Sequence, residues 1–332
     1  MRRLAGGISP RAAGLLAALL AALIVAPYFA NDYLLTVLIL ILYFAYTGQA
    51  WNIMMGFTGQ LSLGHALYVG LGAYTAAALY VHFGVGPWIG LLAAVPVAMA
   101  GGAVIGFLAF RFGVAGVYFA ILTIAFAEFA RIGFDHIAYT GGSAGYFLPV
   151  AQYVHNDLWN LRGRPAMFYY VILALTALAF LACHLMLRSR MGYFWRAIRE
   201  DEEAARALGI DTFRYKMYAV VVSAGMTSVA GVFFAFYYNN LFPEQVFGIA
   251  RSIELILAPI IGGIGTLFGP VLGAFVLTGL SEGMTELLHV LGFDVPGAKQ
   301  VFYGICLLVV IVALPDGIWP WLARALGLER RS

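Results

Sequence analysis

The sequence predicts an all-α membrane protein of about ten apolar segments, and three observations carry that reading. First, 63% of its 332 residues are hydrophobic and only 11% are charged, against about 25% charged in an ordinary soluble domain. So few charges cannot cover a water-facing surface of this size, which excludes a soluble enzyme, a disordered chain and a nucleic-acid binder. Second, no Asp, Glu, Lys or Arg occurs between Tyr33 and Phe110. Third, seven of the nineteen basic residues fall together between Arg188 and Lys216. Roughly 209 hydrophobic residues at ~20 per span would fill about ten spans and leave little for a soluble domain. The net charge of +3 is too small to argue for a polyanionic partner.

The elements follow in order. Arg2, Arg3 and Arg11 precede an apolar run from Ala12 to Ala30. That run is long for a signal peptide, and its end lacks a small residue at the second cleavage position, so it reads as an uncleaved first span. Three spans fit the charge-free block, at about 33–55, 67–84 and 87–110. Further apolar runs lie at 112–127, 165–187, 217–243, 255–281 and 300–315. Backbone groups in lipid must bond internally, so these runs are expected to be helices.

Orientation comes from the basic residues. The loop 188–216 holds Arg188, Arg190, Arg196, Arg199, Arg206, Arg214 and Lys216, and the positive-inside rule assigns it to the cytoplasm. The N-terminal arginines suggest a cytoplasmic start, and the even number of six intervening spans agrees. The loop 132–165 then faces outward. Gly262-Gly263-Ile264-Gly265, flanked by Pro259 and Pro270, is expected to break the run 255–281 into two segments. The break also returns the tail 317–332, with Arg324, Arg330 and Arg331, to the cytoplasm. The whole of 1–332 reads as one transmembrane domain.

Cys183 and Cys306 lie inside apolar runs and read as small hydrophobes, not as a disulfide or metal site. The phosphate-cradling pattern G-x-x-x-x-G-K-[ST] is missing, so ATP hydrolysis by that route is excluded. No nucleophile–base pair, metal-ligand spacing or cofactor motif appears.

The stretch 196–216, RAIREDEEAARALGIDTFRYK, is polar yet patterned as a helix over about 193–208. Arg196–Glu200, Arg199–Glu203 and Glu202–Arg206 place opposite charges four apart. Phe194, Ile198, Ala205 and Leu208 recur near helical spacing as one apolar stripe, and Gly209 is expected to stop the helix. Such a helix, with the small Ala204 and Ala205, could dock into a groove on a partner. A solvated connector rich in cytosolic arginines would carry the same pattern.

The stretch 56–74, GFTGQLSLGHALYVGLGAY, combines five glycines with Gln60, Ser62 and His65, the polar groups of a charge-free block. Polar groups at membrane depth face protein or a water-filled path. Gln60, Ser62, His65, Thr123, Ser223 and Thr227 are therefore candidates for a translocation path, with a satisfied packing seam as the plainer alternative. Gly265, Gly269 and Gly273 form a small-xxx-small repeat, suited to packing within the chain or against another permease. Two charged groupings, Glu128–Arg131–Asp135 and Arg251–Glu254, could be interfacial ion pairs or could capture a zwitterion.

Glu203-Ala204-Ala205 followed four residues later by Gly209 resembles the EAA loop of ABC importer permeases. GQLSLGHA at 59–66, SRMGYFWRAIREDEEAARALGI at 189–210 and GGIGTLFGPVLGAF at 262–275 resemble the LivM/LivH permease family of branched-chain amino acid importers, more closely its LivM-type half. The likeness runs from about residue 30 to 316. The Ile-x-Leu-Pro ending of other EAA loops is replaced here by Ala219-Val220-Val221-Val222, as suits the branched-chain amino acid branch.

The resemblance implies a BtuC-like importer fold of two pseudo-repeated halves in the cytoplasmic (inner) membrane. It implies a LivH-like permease partner, two LivG/LivF-like ATPase subunits and a soluble periplasmic-type amino-acid-binding protein. It also implies that Arg196, Arg199, Glu200, Glu203, Ala204, Ala205 and Gly209 form the ATPase-coupling loop, with ATP hydrolysed on the separate subunits and no cofactor on this chain. A urea or short-amide importer within the class, and an ion-driven secondary transporter outside it, stay open as alternatives.

Overall fold

The computed structural model of the chain describes residues 10–149, 156–290 and 297–325. Helices account for nearly all regular structure: α1 Pro10–Val25, α2 Asp32–Asn52, α3 Ala66–Phe83, α4 Pro87–Arg111, α5 Val117–His136, α6 Pro165–Arg188, α7 Arg190–Glu200, α8 Glu202–Ala207, α9 Thr212–Tyr238, α10 Pro243–Phe247, α11 Ile249–Gly262, α12 Gly269–Val290, α13 Ala298–Ala313 and α14 Ile318–Ala325. Two short strands, β1 Tyr146–Phe147 and β2 Asn240–Leu241, pair antiparallel.

Local chemistry explains many of the helix ends. Asn31 caps α2, its side-chain oxygen accepting from the Leu34 N–H at 2.8 Å. Pro87 and Pro165 open α4 and α6, where a missing N–H costs nothing. Asn239 closes α9 in the left-handed conformation, one of the few non-glycine residues that tolerates it.

α2 and α9 are buried along most of their length, and the other helices surround them. α9 packs on α3 and α4; α2 packs on α6, α11 and α12. α3 and α9 cross closely because each gives up a side chain there. A Cβ on Gly72 would strike the Ser228 carbonyl, and one on Gly231 the Val69 carbonyl. α4, α5 and α6 keep long apolar surfaces such as Leu92, Phe107, Phe129 and Leu178 exposed. That is the expected arrangement where the solvent is lipid.

Among the described residues, seven helical stretches are long and apolar enough to cross a membrane: 32–57, 66–83, 87–111, 117–136, 165–188, 212–238 and 243–262. The expected ten segments correspond to these plus α1, α12 and α13. α1 and α13 have 16 residues each, short of the ~20 that a span needs, and α12 carries Glu282 and Glu286. The run 255–281 is broken as expected, since α11 stops at Gly262 and α12 starts at Gly269, with positive φ at Gly263 and Gly265. The segment expected at 112–127 is displaced: residues 113–116 form a turn and α5 continues to His136.

The bundle has two distinct ends. At one, Arg199 reaches Gly56, and Phe107 and Arg111 meet Arg206 and Phe213. At the other, the Trp88 indole donates to the Leu158 carbonyl at 2.9 Å, His82 stacks on Tyr139, and β1 meets β2. Cysteines placed at Leu208 and at Trp159, 82% and 66% exposed, should therefore label from opposite sides of the membrane. Modification of both by one impermeant maleimide in intact cells would contradict that arrangement.

Candidate functional site

The site begins where α2 loses its regular hydrogen bonding. Over Ile53–Phe57 the helix widens to π-type bonding, and residues 58–65 then run without regular structure before α3 starts. Gly59 is exposed, but Gln60, Ser62, Gly64 and His65 are buried, so the polar backbone groups there need partners from elsewhere in the protein. Side chains supply them. The Trp51 indole donates to the Ser62 carbonyl at 2.8 Å. The Thr123 hydroxyl oxygen accepts from the N–H groups of Leu63 and Gly64 at 3.1 and 3.2 Å, and donates to the Ala120 carbonyl at 2.7 Å. The Ser252 hydroxyl accepts from the Ala66 N–H at 3.0 Å.

His65 lies fully buried at the end of this segment. Its Nε2 is 2.9 Å from the Thr227 hydroxyl and 3.3 Å from that of Ser223. Those hydroxyls donate to the carbonyls of Ser223 and Ala50, at 2.8 and 2.7 Å respectively. Their oxygens are thus left to accept, which assigns the proton to Nε2 of His65. His65 Nδ1 and the Ser62 hydroxyl are buried without a partner. Gln60 is also buried, and its amide donates to the Thr58 carbonyl at 3.0 Å. All six candidate path residues are therefore buried. Ser62, His65, Thr123, Ser223 and Thr227 gather around one irregular segment, while Gln60 bonds locally.

A second break lies against the first. Asn52 accepts from the Gly265 N–H through Oδ1 and donates to the Thr266 carbonyl through Nδ2, both at 2.8 Å. Gln49 donates to the Leu267 carbonyl at 2.7 Å. Arg199 of α7 donates to the Gly56 carbonyl and comes close to Gly265. Thus α2 carries the side chains that join both breaks, and the polar linker touches them at the same place. Sequence reasoning missed Gln49, Asn52, Trp51 and Ser252. The signal was available, because Gln49 and Asn52 are three apart on one face of a charge-free helix. The repeat Gly265, Gly269, Gly273 serves packing inside the chain: a Cβ at Gly269 or Gly273 would strike α11 or the turn after it.

The linker departs from the single helix expected at 193–208. Asp201 interrupts it, capping α8 by accepting from the N–H groups of Glu203 and Ala204, both at 2.9 Å. Of the three expected pairs, one forms. Glu202–Arg206 forms at 3.1 Å, but Arg199 turns to Gly56, and Arg196 bonds the carbonyls of Gly192 and Leu187. The apolar stripe is also shifted. Trp195, fully buried with its indole donating to the Tyr215 carbonyl at 2.9 Å, anchors α7 on α9. Ile198 and Ala205 are buried, whereas Leu208 is exposed. Met191, Trp195 and Ile198 have the i, i+4, i+7 spacing that could have located this face. Glu200, Glu203 and Ala204 face outward, while Ala205 is covered by its own chain and cannot meet a partner. Gly209 has φ of +84°, so the helix stop is left-handed as expected.

Beneath α8, the buried Lys216 places its Nζ 2.7 Å from a Glu202 carboxylate oxygen and 4.6 Å from the centre of the Phe110 ring. Burial would raise the Glu202 pKa, but the hydrogen bonds and charge of Lys216 outweigh it and hold the carboxyl below its ordinary value. At the opposite end, Arg131 pairs with Glu128, Asp135 and Glu244 at 2.5, 2.8 and 3.1 Å, and Arg251 pairs with Glu254 at 2.9 Å. Both groupings are thus ion pairs within the chain. Among the described residues, no group of three or more His, Cys, Asp or Glu could hold a metal ion.

Two helix breaks joined at one end of an apolar bundle, with a polar linker packed on both, define a multi-pass membrane transport protein. Residues 33–311 match the family described as branched-chain amino acid transport system / permease component, and the chain belongs to that family. It is similar to the high-affinity branched-chain amino acid transport system permease protein LivM of Escherichia coli K12, 29% identical over 95% of this chain and 76% of that one. It is also similar to the LivH protein of the same strain, 30% identical over 55% of this chain and 58% of that one. A further likeness is to BraD of Pseudomonas aeruginosa, 31% identical over 40% of each chain. No solved structure matches. Neither alternative transporter class is favoured by these likenesses.

Gly64 and Gly265 test the junction. Leucine at either position would collide with backbone or Arg199, and overpacking typically costs about 1–3 kcal/mol. Each variant should show a lowered unfolding temperature in detergent and reduced yield of folded protein; wild-type stability in both would show that the close approaches are not required. Glu202 gives a pH prediction. Its folded pKa is depressed, so its contribution is complete above the ordinary value of 4.5 and is lost as pH falls through the folded value. The stability difference between wild type and Glu202→Gln should be constant near neutrality and shrink only below about pH 4.5; a difference that already fades near pH 6 would exclude this ion pair as its source.

Proposed function

We propose that this chain is the membrane-embedded permease subunit of an ATP-binding cassette importer, moving branched-chain amino acids across the cytoplasmic membrane by alternating access. The observation that carries the mechanism is the packing of the linker on both helix breaks. Trp195 anchors α7, and Arg199 reaches from it to Gly56 beside Gly265. A rigid movement of α7 and α8 would thus act on both irregular segments at once. Those segments lead to His65, Ser62, Thr123, Ser223 and Thr227, which we assign, with Gln60, to the translocation path in its closed form.

In this reading the exposed residues Arg196, Glu200, Glu203 and Ala204, with Arg199 and Gly209 supporting them, form the surface that receives a separate ATPase. Ala205 supports that surface from inside. ATP is hydrolysed on two such subunits, a LivH-like permease completes the membrane pair, and a soluble amino-acid-binding protein delivers substrate to the outer end. The family membership and the LivM relative supply the substrate class. The fold is proposed to be BtuC-like, with ten embedded segments made of the seven long ones plus α1, α12 and α13. Both termini and the linker lie in the cytoplasm.

The test separates coupling from folding. Ala204 is exposed, so Ala204→Trp should leave the bundle intact while blocking the approach of an ATPase. Gly209→Val should strain the left-handed stop by roughly 1 kcal/mol and shift the same surface. Both variants should insert, pair with the partner permease and lose most substrate-stimulated ATP hydrolysis and uptake. Wild-type import by Ala204→Trp, with ATPases bound normally, would refute the coupling role.

A further inference from the structure

The groove between α1 and the body of the bundle holds no residue of the site described above. α1 is tied to the body by the hydroxyls of Tyr169 and Tyr170, which donate to the carbonyls of Leu23 and Ile24 at 2.6 and 3.1 Å. Both ties lie in the last turn of α1, near the start of α6. Toward the other end a groove of about 410 Å³ separates α1 from α2, α6 and α12. Leu20, Leu173, Phe180, Leu272, Phe275 and Trp319 form its walls. Among the described lining residues the polar side-chain groups are the Thr176 hydroxyl and the Trp319 indole N–H, and the hydroxyl is already bonded to the carbonyls of Leu42 and Ile172 at 3.0 and 2.8 Å.

We propose that this groove is a lipid site, occupied by one acyl chain of an anionic phospholipid from the leaflet on the linker side. With its hydroxyl already bonded and the rest of its walls apolar, the groove gives water few partners, and an empty groove forfeits the contacts of its lining. A hydrocarbon chain satisfies both conditions. The dimensions agree. From Leu173 to Phe180 the groove follows α6 for about 10 Å at ~1.5 Å per residue, within the ~15 Å that is half of a ~30 Å hydrocarbon core. The walls are bulky Leu and Phe, not the small residues that let two helices touch, so the shape suits a flexible chain better than a partner's helix.

The end of the groove supplies the headgroup chemistry. Trp319 stacks on Phe268 with centroids 4.4 Å apart and closes the groove at the linker end, where tryptophan is favoured at the headgroup level. The α6 stripe Leu173, Thr176, Ala177, Phe180 continues at helical spacing through His184 to Arg188, which is exposed at the end of the helix. Arg324 is exposed on the same short helix as Trp319. Arg188, at the end of the α6 stripe, and Arg324, on the helix that carries Trp319, put cations on two helices that line the groove, which matches an anionic phosphate headgroup with its chain inserted. The choice of leaflet follows from the linker end of the bundle; it would be the cytoplasmic leaflet under the orientation proposed above, and the site itself does not depend on that orientation.

The full chain in nanodiscs of phosphatidylethanolamine and phosphatidylglycerol tests this, first by native mass spectrometry and then by fluorescence with lipids brominated on the acyl chain. Wild type should carry one phosphatidylglycerol that survives delipidating detergent, and brominated lipid should quench Trp319, read as the difference from Trp319→Phe. Leu272→Trp, which fills the groove, should lower retention by about tenfold. Leu20→Phe, a milder filling in case the first variant misfolds, should lower it in the same direction. Arg188→Gln should reduce the preference for phosphatidylglycerol over phosphatidylethanolamine while a lipid is still retained. The proposal is overturned if no lipid is retained, if both filling variants retain it as wild type does, or if cysteine cross-linking from Leu272 captures a segment of a partner permease in the groove.

Discussion

The structure depends on one constraint: a backbone N–H or C=O at membrane depth must find its partner inside the protein. Most of the chain obeys by being helical. Two irregular segments that pack against α2, 59–65 and 263–268, obey through side chains that point from helices into the break. Trp51, Thr123 and Ser252 serve the first break; Gln49 and Asn52 serve the second. Burial of the polar residues Gln49, Asn52, Thr123 and Ser252 in so apolar a chain is thereby explained. These residues are where they are because irregular backbone has to be satisfied.

The same constraint gives the breaks their mechanical meaning. A helix interrupted in the membrane is a place where the chain can change shape without dissolving a helix from its end. In this protein the two interruptions meet, and the polar linker packs on both through Arg199. The neighbouring contacts hold the linker against α9. Trp195 is buried against α9, and the Glu202–Lys216 pair holds α8 to the same helix. A linker that merely connected two spans would not need a buried tryptophan, a buried lysine and an arginine inserted between two glycines.

The end opposite the linker is built differently. Its charges pair among themselves, Arg131 with three carboxylates and Arg251 with Glu254, and its aromatic contacts, such as His82 on Tyr139, tie loops to helix ends. That end is a lid of local contacts over the bundle, while the linker end is a junction of distant segments. The asymmetry fits a protein that receives a small solute on one side and a mechanical input on the other.

The sequence alone determined the class of protein, the positions of most apolar helices, the break at 262–265, the left-handed stop at Gly209 and, of the buried site, Ser62, His65, Thr123, Ser223 and Thr227 but not Gln49, Trp51, Asn52 or Ser252. These follow from composition, period and local backbone preference, which act over a few residues. Tertiary structure decided the rest. Asp201 could equally continue a helix or cap a new one, and only the docking of α7 through Trp195 selects the cap. Arg199 had a carboxylate four residues away and took a carbonyl 143 positions distant instead. Of the stripe expected to share one face, Ala205 is buried and Leu208 is exposed, for the same reason. Which face of a short amphipathic helix is buried depends on what lies across from it, and that partner is supplied by chain folding, not by neighbours in sequence.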